Sequence, residues 1–139
     1  MKKLLVVLAI IVASCNGFGS QKNKANETAS KDTIFVYFFH GTHRCAGCIN
    51  AEKATVTALN TLYKNELDKG IIKFESVNVE EDNNKALAEK YEAAWNKLLF
   101  VKSGKTEQKV DLTEQAFSYS SNQEELNKII KTTVDAMLK

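Results

Sequence analysis

Both histidines and two of the three cysteines of this 139-residue chain fall within one short stretch, "HGTHRCAGC", His40 to Cys48. Suppose that Cys45 ends a loop and Cys48 lies in the first turn of a helix. The two sulfurs then meet, and Cys45 sits where unpaired amides and the helix macrodipole favour an anion. Arg44 and His43, just before it, also favour thiolate over thiol, and the thiolate is the nucleophile. In that arrangement Cys45 attacks a partner disulfide and Cys48 resolves the mixed disulfide. The same stretch admits a second chemistry. His40, His43, Cys45 and Cys48 are four ligands of types that zinc or copper accepts, provided that the loop folds back on itself. A structural disulfide, or a pair of inert thiols, is the plain alternative. His40 stands at a strand end and is also placed for hydrogen bonds within the loop.

The elements that must position these residues are legible on either side. "TIFVYFF", Thr33 to Phe39, is a continuous β-branched and aromatic run, too short for a typical helix. It reads as a buried central strand. From Ile49 the period turns helical, with Val56, Leu59, Tyr63 and Leu67 on one apolar face and "DKG" as a stop signal. "IIKFESVNVE", from Ile71, is a strand by its β-formers. A short helix then carries Leu87 and Tyr91, with Asp82 or Asn83 as its expected cap. "KLLFVKSGKTEQKVDL" reads as a hairpin turning at Ser103-Gly104. Ser121 with Glu124 fits a capping box for a last helix striped by Leu126, Ile129, Ile130, Val134 and Met137.

The order is strand, helix, strand, helix, strand, strand, helix. Strands joined through a long helix are parallel with a right-handed crossover, and the hairpin strands are antiparallel. A four-stranded mixed sheet with helices on both faces follows. Trp95 is expected to pack, and Tyr37 and Tyr63 to lie in the core or at its rim.

The N-terminus is of another kind. Lys2 and Lys3 precede a nearly unbroken apolar run, Leu4 to Ala13. Ten helical residues rise about 15 Å, against the roughly 30 Å of a bilayer core. The run reads as a signal peptide. It ends in "VASC", Val12 to Cys15, which resembles the bacterial lipoprotein signal. That resemblance implies cleavage before Cys15, lipid on its sulfur and an acyl group on its new amino terminus, several chains making a stable anchor. Residues 1–14 are then the signal. Residues 15–31, polar and poor in apolar side chains, are a lipidated cysteine and a flexible tether. Residues 32–139 form one domain, large enough for one core.

Charge excludes one class of partner. The chain has 19 Lys+Arg and 17 Asp+Glu. Without Lys2 and Lys3 the two signs balance and no dense basic block remains, so nucleic-acid binding has no electrostatic footprint.

From Asp32 to Lys139 the chain resembles the thioredoxin-like superfamily. "IFVYFFHGTHRCAGC" is similar to that family's first core strand and active-site loop, "VNVEEDNNKALAEKY" to its second strand and next helix, and "LLFVKSGK" to its third strand and hairpin. The resemblance implies the sheet order 2-1-3-4 and a redox-active Cys45–Cys48 disulfide with no further cofactor. "YFFHGTHRCAGC" and "NVEEDNNKALAEKY" also resemble the bacterial nitrophenyl compound nitroreductase subunit ArsF family, which implies delivery of reducing equivalents with a membrane partner. One departure stands out. Thioredoxin-like proteins carry a cis-proline just before the third core strand, and this chain has no proline. The matching region is "AAWNKLL", Ala93 to Leu99. A non-proline cis bond costs about 3 kcal/mol, so a trans peptide is expected there.

Three functions fit these observations. The first is a membrane-tethered thiol-disulfide redox protein on the extracytoplasmic side, working with an integral membrane electron donor or redox partner. The second is a soft-metal or metalloid binding module using His40, His43, Cys45 and Cys48. The third is a non-catalytic docking subunit.

Overall fold

The computed structural model describes residues 32–139. The expected signal, the lipidation site Cys15 and the tether lie outside the described residues. The elements run β1 (Ile34–His40), α1 (Ala46–Leu62), α2 (Lys64–Asp68), β2 (Ile72–Asn78), α3 (Lys85–Lys90), β3 (Lys97–Lys102), β4 (Gln108–Asp111), α4 (Thr113–Ser118) and α5 (Gln123–Met137). The four strands form one mixed sheet in the order β2-β1-β3-β4, the order that the resemblance implied. β1 runs parallel to β2, in a register pairing Ile34 with Ile72 and His40 with Asn78. It runs antiparallel to β3, which is antiparallel to β4.

β1 is central, and its unbroken apolar run serves two cores. Ile34, Val36 and Phe38 point to one face, where they meet Leu98 and Phe100 of β3, an alanine stripe on α1, and Leu126, Ile130 and Val134 of α5. Tyr37 and Phe39 point to the other face, against Val77, Leu99, Val101 and Tyr91, the residue that ends α3. Side chains alternate along a strand, so a strand covered on both faces must be apolar at every position.

The helical face of α1 differs from the expected one. Leu59 and Tyr63 are buried, Val56 and Leu67 only partly so, and the buried face also holds Ala51, Ala54 and Ala58, small residues that let a helix approach its neighbours. The helix also breaks before Leu67. Tyr63 leaves helical geometry at φ −134°, and its hydroxyl donates to Asp135 Oδ1 of α5 at 2.7 Å. α2 follows and ends at Asp68, and Gly70, two residues on, takes a φ of +69° that suits glycine.

Two further local expectations are corrected, and one helix was not expected at all. The last helix is capped by Asn122, whose side chain accepts from Glu125 N, one residue beyond the expected Ser121–Glu124 box. Neither Asp82 nor Asn83 caps α3. Residues Asp82–Asn84 form a 3-10 turn, and Asn84 at the N-cap donates to Asn78 O at 2.9 Å. The short α4 had no apolar period to announce it. It starts where Asp111 Oδ1 accepts from the Thr113 amide at 2.9 Å, a local Asx-type turn.

Candidate functional site: the Cys45–Cys48 junction

The strand-to-helix junction holds a Cys45–Cys48 disulfide, with the two Cα atoms 5.1 Å apart. Cys45 is the N-cap of α1, in extended geometry, and its sulfur accepts the Cys48 amide at 3.1 Å. The first turn of α1 carries no acidic residue, so no carboxylate competes for the positive end of the helix. Cys45 is exposed, whereas Cys48 is 4% exposed. One sulfur can therefore meet a partner while the other waits behind it.

The loop before the disulfide is held by residues that follow β2. Glu80 Oε2 accepts the Thr42 amide at 3.1 Å, and Asn78 Nδ2 donates to Thr42 Oγ1 at 3.1 Å. The Val79 amide donates to His40 O at 2.9 Å. The Thr42 contacts and the nearby charge of His43 hold the Glu80 carboxyl below the usual glutamate range. A Cβ on Gly41 would lie 3.2 Å from Glu80 Oε1 and 3.7 Å from the Trp95 ring, so glycine permits this close approach. Sequence reasoning missed Asn78 and Glu80. Their signal was the polar "NVEE" at the end of β2, the strand parallel to β1.

The four expected metal ligands do not converge. His40 Nδ1 donates to Gly41 O at 2.9 Å, and Nε2 is hydrogen-bonded with Ser76 Oγ at 3.1 Å. Both ring nitrogens are thus engaged in the loop and in β2. His43 is exposed. Among the described residues no group of three or more histidine, cysteine or acidic side chains is placed to hold a metal ion. The four-ligand reading of His40, His43, Cys45 and Cys48 is therefore corrected, because hydrogen bonding fixes His40 to the sheet edge.

Arg44 has a definite partner. Its guanidinium pairs with Glu52 of α1, its Nη2 lies 3.5 Å from Cys48 O, and it stands 5.7 Å from the centroid of the Phe38 ring. The two side chains of the pair are 22% and 15% exposed. The cation before Cys45 is thus drawn along the helix toward a carboxylate.

The region matching the family's proline holds two surprises. Trp95, expected to pack, is 70% exposed. Asn96, the residue just before β3, donates from Nδ2 to Cys48 Sγ at 3.3 Å. Sequence reasoning passed over Asn96, since no period or spacing links it to a cysteine 48 positions away.

No family model matches the chain, and no curated protein matches it. Among solved structures two chains match. One, described as "Structure of a malarial protein", is 17% identical, covers 66% of this chain and 96% of its own, and superposes with a TM-score of 0.41. That likeness is too slight to carry a family or a function.

Proposed function

We propose that this chain is a thioredoxin-like thiol-disulfide redox protein. In this reading Cys15 tethers it by lipid to the extracytoplasmic side of a bacterial membrane. It passes electrons between an integral membrane partner and an extracytoplasmic acceptor. The observation that carries the reading is the asymmetric disulfide at the start of α1, with Cys45 exposed at the N-cap and Cys48 buried behind it.

The chemistry follows from that asymmetry. In the reduced protein the Cys45 thiolate attacks one sulfur of an acceptor disulfide. A Cys45–acceptor disulfide forms and the other acceptor sulfur leaves as thiolate. Cys48 then loses its proton to solvent and attacks Cys45 Sγ. The Cys45–Cys48 bond closes and the second acceptor sulfur leaves. Two electrons have passed from the dithiol to the acceptor. The membrane partner restores the dithiol by the reverse sequence, since no glutathione pool serves that side of the membrane. The Cys48 amide stabilises the charge on Cys45; of the two basic residues before it, Arg44 is paired with Glu52, which leaves exposed His43 as the candidate for tuning. Exposed Ile49, which follows Cys48 in the chain, and exposed Trp95, which precedes Asn96, offer apolar contact to a partner. The narrower resemblance would make the chain a subunit of a nitroreductase system.

The test is a trap in cells that express the full chain. Cys48→Ser leaves Cys45 to form mixed disulfides that cannot resolve, and the captured protein should include a polytopic membrane protein with paired cysteines. Cys45→Ser should capture nothing. Equal capture by both variants, or failure of the purified protein to cycle between dithiol and disulfide, would refute the proposal.

A further inference from the structure

Cys48 is an awkward nucleophile. It is almost wholly buried, and a thiolate in apolar surroundings is costly. Yet the second half of the exchange needs that thiolate. The polar side chain that reaches its sulfur is Asn96, at 3.3 Å through Nδ2. Asn96 stands on the loop just before β3, where the resemblance places a proline that has no side-chain donor to give.

We propose that Asn96 is a catalytic residue, a hydrogen-bond donor that stabilises the negative charge of Cys48 when it resolves the mixed disulfide. The proposal rests on the redox reading above and deepens it. Disulfide sulfur is a weak acceptor, whereas thiolate sulfur is a charged one, so the bond strengthens when the charge appears. A donor that is worth more to the reacting form than to the resting form lowers the barrier. The geometry supports a fixed donor. The preceding turn is closed by Ala93 N donating to Ala88 O at 2.8 Å, and Lys97, which follows Asn96, donates from Nζ to Tyr91 O at 2.9 Å. Leu98, one residue further on, donates its amide to Thr113 Oγ1 at 2.9 Å. Cys45 takes its donor from the Cys48 backbone instead, so the two sulfurs are served separately.

The step balances as follows. Cys48 Sγ, already deprotonated, forms a bond to Cys45 Sγ. The bond between Cys45 Sγ and the partner sulfur breaks, and the electron pair leaves on the partner thiolate. The Asn96 amide keeps its proton throughout.

The test uses the full chain, reduced, with 5,5′-dithiobis(2-nitrobenzoate) as the disulfide. Cys45 attack releases one thionitrobenzoate, and Cys48 resolution releases a second. Quenched samples are followed by mass on the tryptic peptide from Cys45 to Lys53, which carries both cysteines and excludes Cys15. Asn96→Ala should leave the first step within twofold of wild type and slow resolution about tenfold, so that the Cys45 adduct accumulates. Asn96→Asp has the same shape, lacks the donor and sets a carboxylate against the sulfur, so it should resolve more slowly still. A purely structural role predicts the opposite order, with Asn96→Asp near wild type. Unchanged resolution in both variants overturns the role of Asn96 and leaves the redox reading standing. A wild-type protein that never releases the second thionitrobenzoate overturns the redox reading, and the assignment of Asn96 with it.

Discussion

Replacing Glu52 with glutamine keeps the shape of the side chain and removes its charge. Arg44 is then left beside Cys48 and Phe38 without its carboxylate. The cost can be bracketed. Exposed ion pairs are worth about 0.2–1 kcal/mol, and breaking a buried pair by removing one member costs about 3–5 kcal/mol. Side chains 22% and 15% exposed fall between these limits, which places the loss near 2 kcal/mol. One nitrogen of the guanidinium, Nε, is already buried without a hydrogen-bond partner, so Arg44 has little capacity to find a substitute. In a domain of 108 residues the melting temperature should fall by about 8 °C. The assay is urea unfolding of the oxidised protein by circular dichroism, for Glu52→Gln, Arg44→Met and the double variant. The two losses should not add, and a coupling energy of about 1–1.5 kcal/mol is expected. The coupling should change little in 1 M salt, because a pair this far from solvent is weakly screened. A coupling below about 0.3 kcal/mol would refute the claim that Arg44 is held by Glu52, and its charge would then be available to Cys45.

The other two predictions concern the loop and the helix behind it. Glu80 has a folded pKa below its ordinary value, so its contribution is present above the ordinary glutamate range and is lost as pH falls through the lower folded value. Amide exchange at Thr42 should lose protection in that acidic window, and Glu80→Gln should remove the pH dependence; an unchanged profile in Glu80→Gln would count against the anchor. Ala58 is fully buried on the face of α1 that meets the main core, so Ala58→Leu should cost about 1–3 kcal/mol in urea unfolding, whereas a neutral result would mean that α1 has room to move outward.

Some of this was written plainly in the chain. The β-branched and aromatic run from Thr33 to Phe39 reads as a strand covered on both faces, and β1 is one. The CxxC after it, opening a helical period, marked where two sulfurs could meet, because the offset of three matches one helical turn. Mixed pairing followed from connection lengths, a long helix between β1 and β2 and a short turn between β3 and β4. The stripe on α5 was legible for the same reason, its large apolar residues falling at helical spacing.

What escaped sequence reasoning depends on contacts between residues far apart in the chain. The period of α1 pointed to its large residues, but its packing face adds an alanine stripe to Leu59 and Tyr63, since small side chains matter through the neighbour they admit. His40 looked like a ligand by type, and only the pairing of β1 with β2 brought Ser76 to its ring. Glu80 became a loop anchor because the parallel pairing ends beside Thr42. Arg44 kept its charge but gained Glu52, one further turn along α1 than Cys48. Asn96 met Cys48 because β3 lies next to β1 and enters the sheet at the end where the loop leaves it. Residue type and spacing placed two sulfurs at the start of a helix. Which donors and carboxylates surround them was decided by the sheet, because hydrogen bonds act over about 3 Å and the chain reaches that range only once the strands are in register.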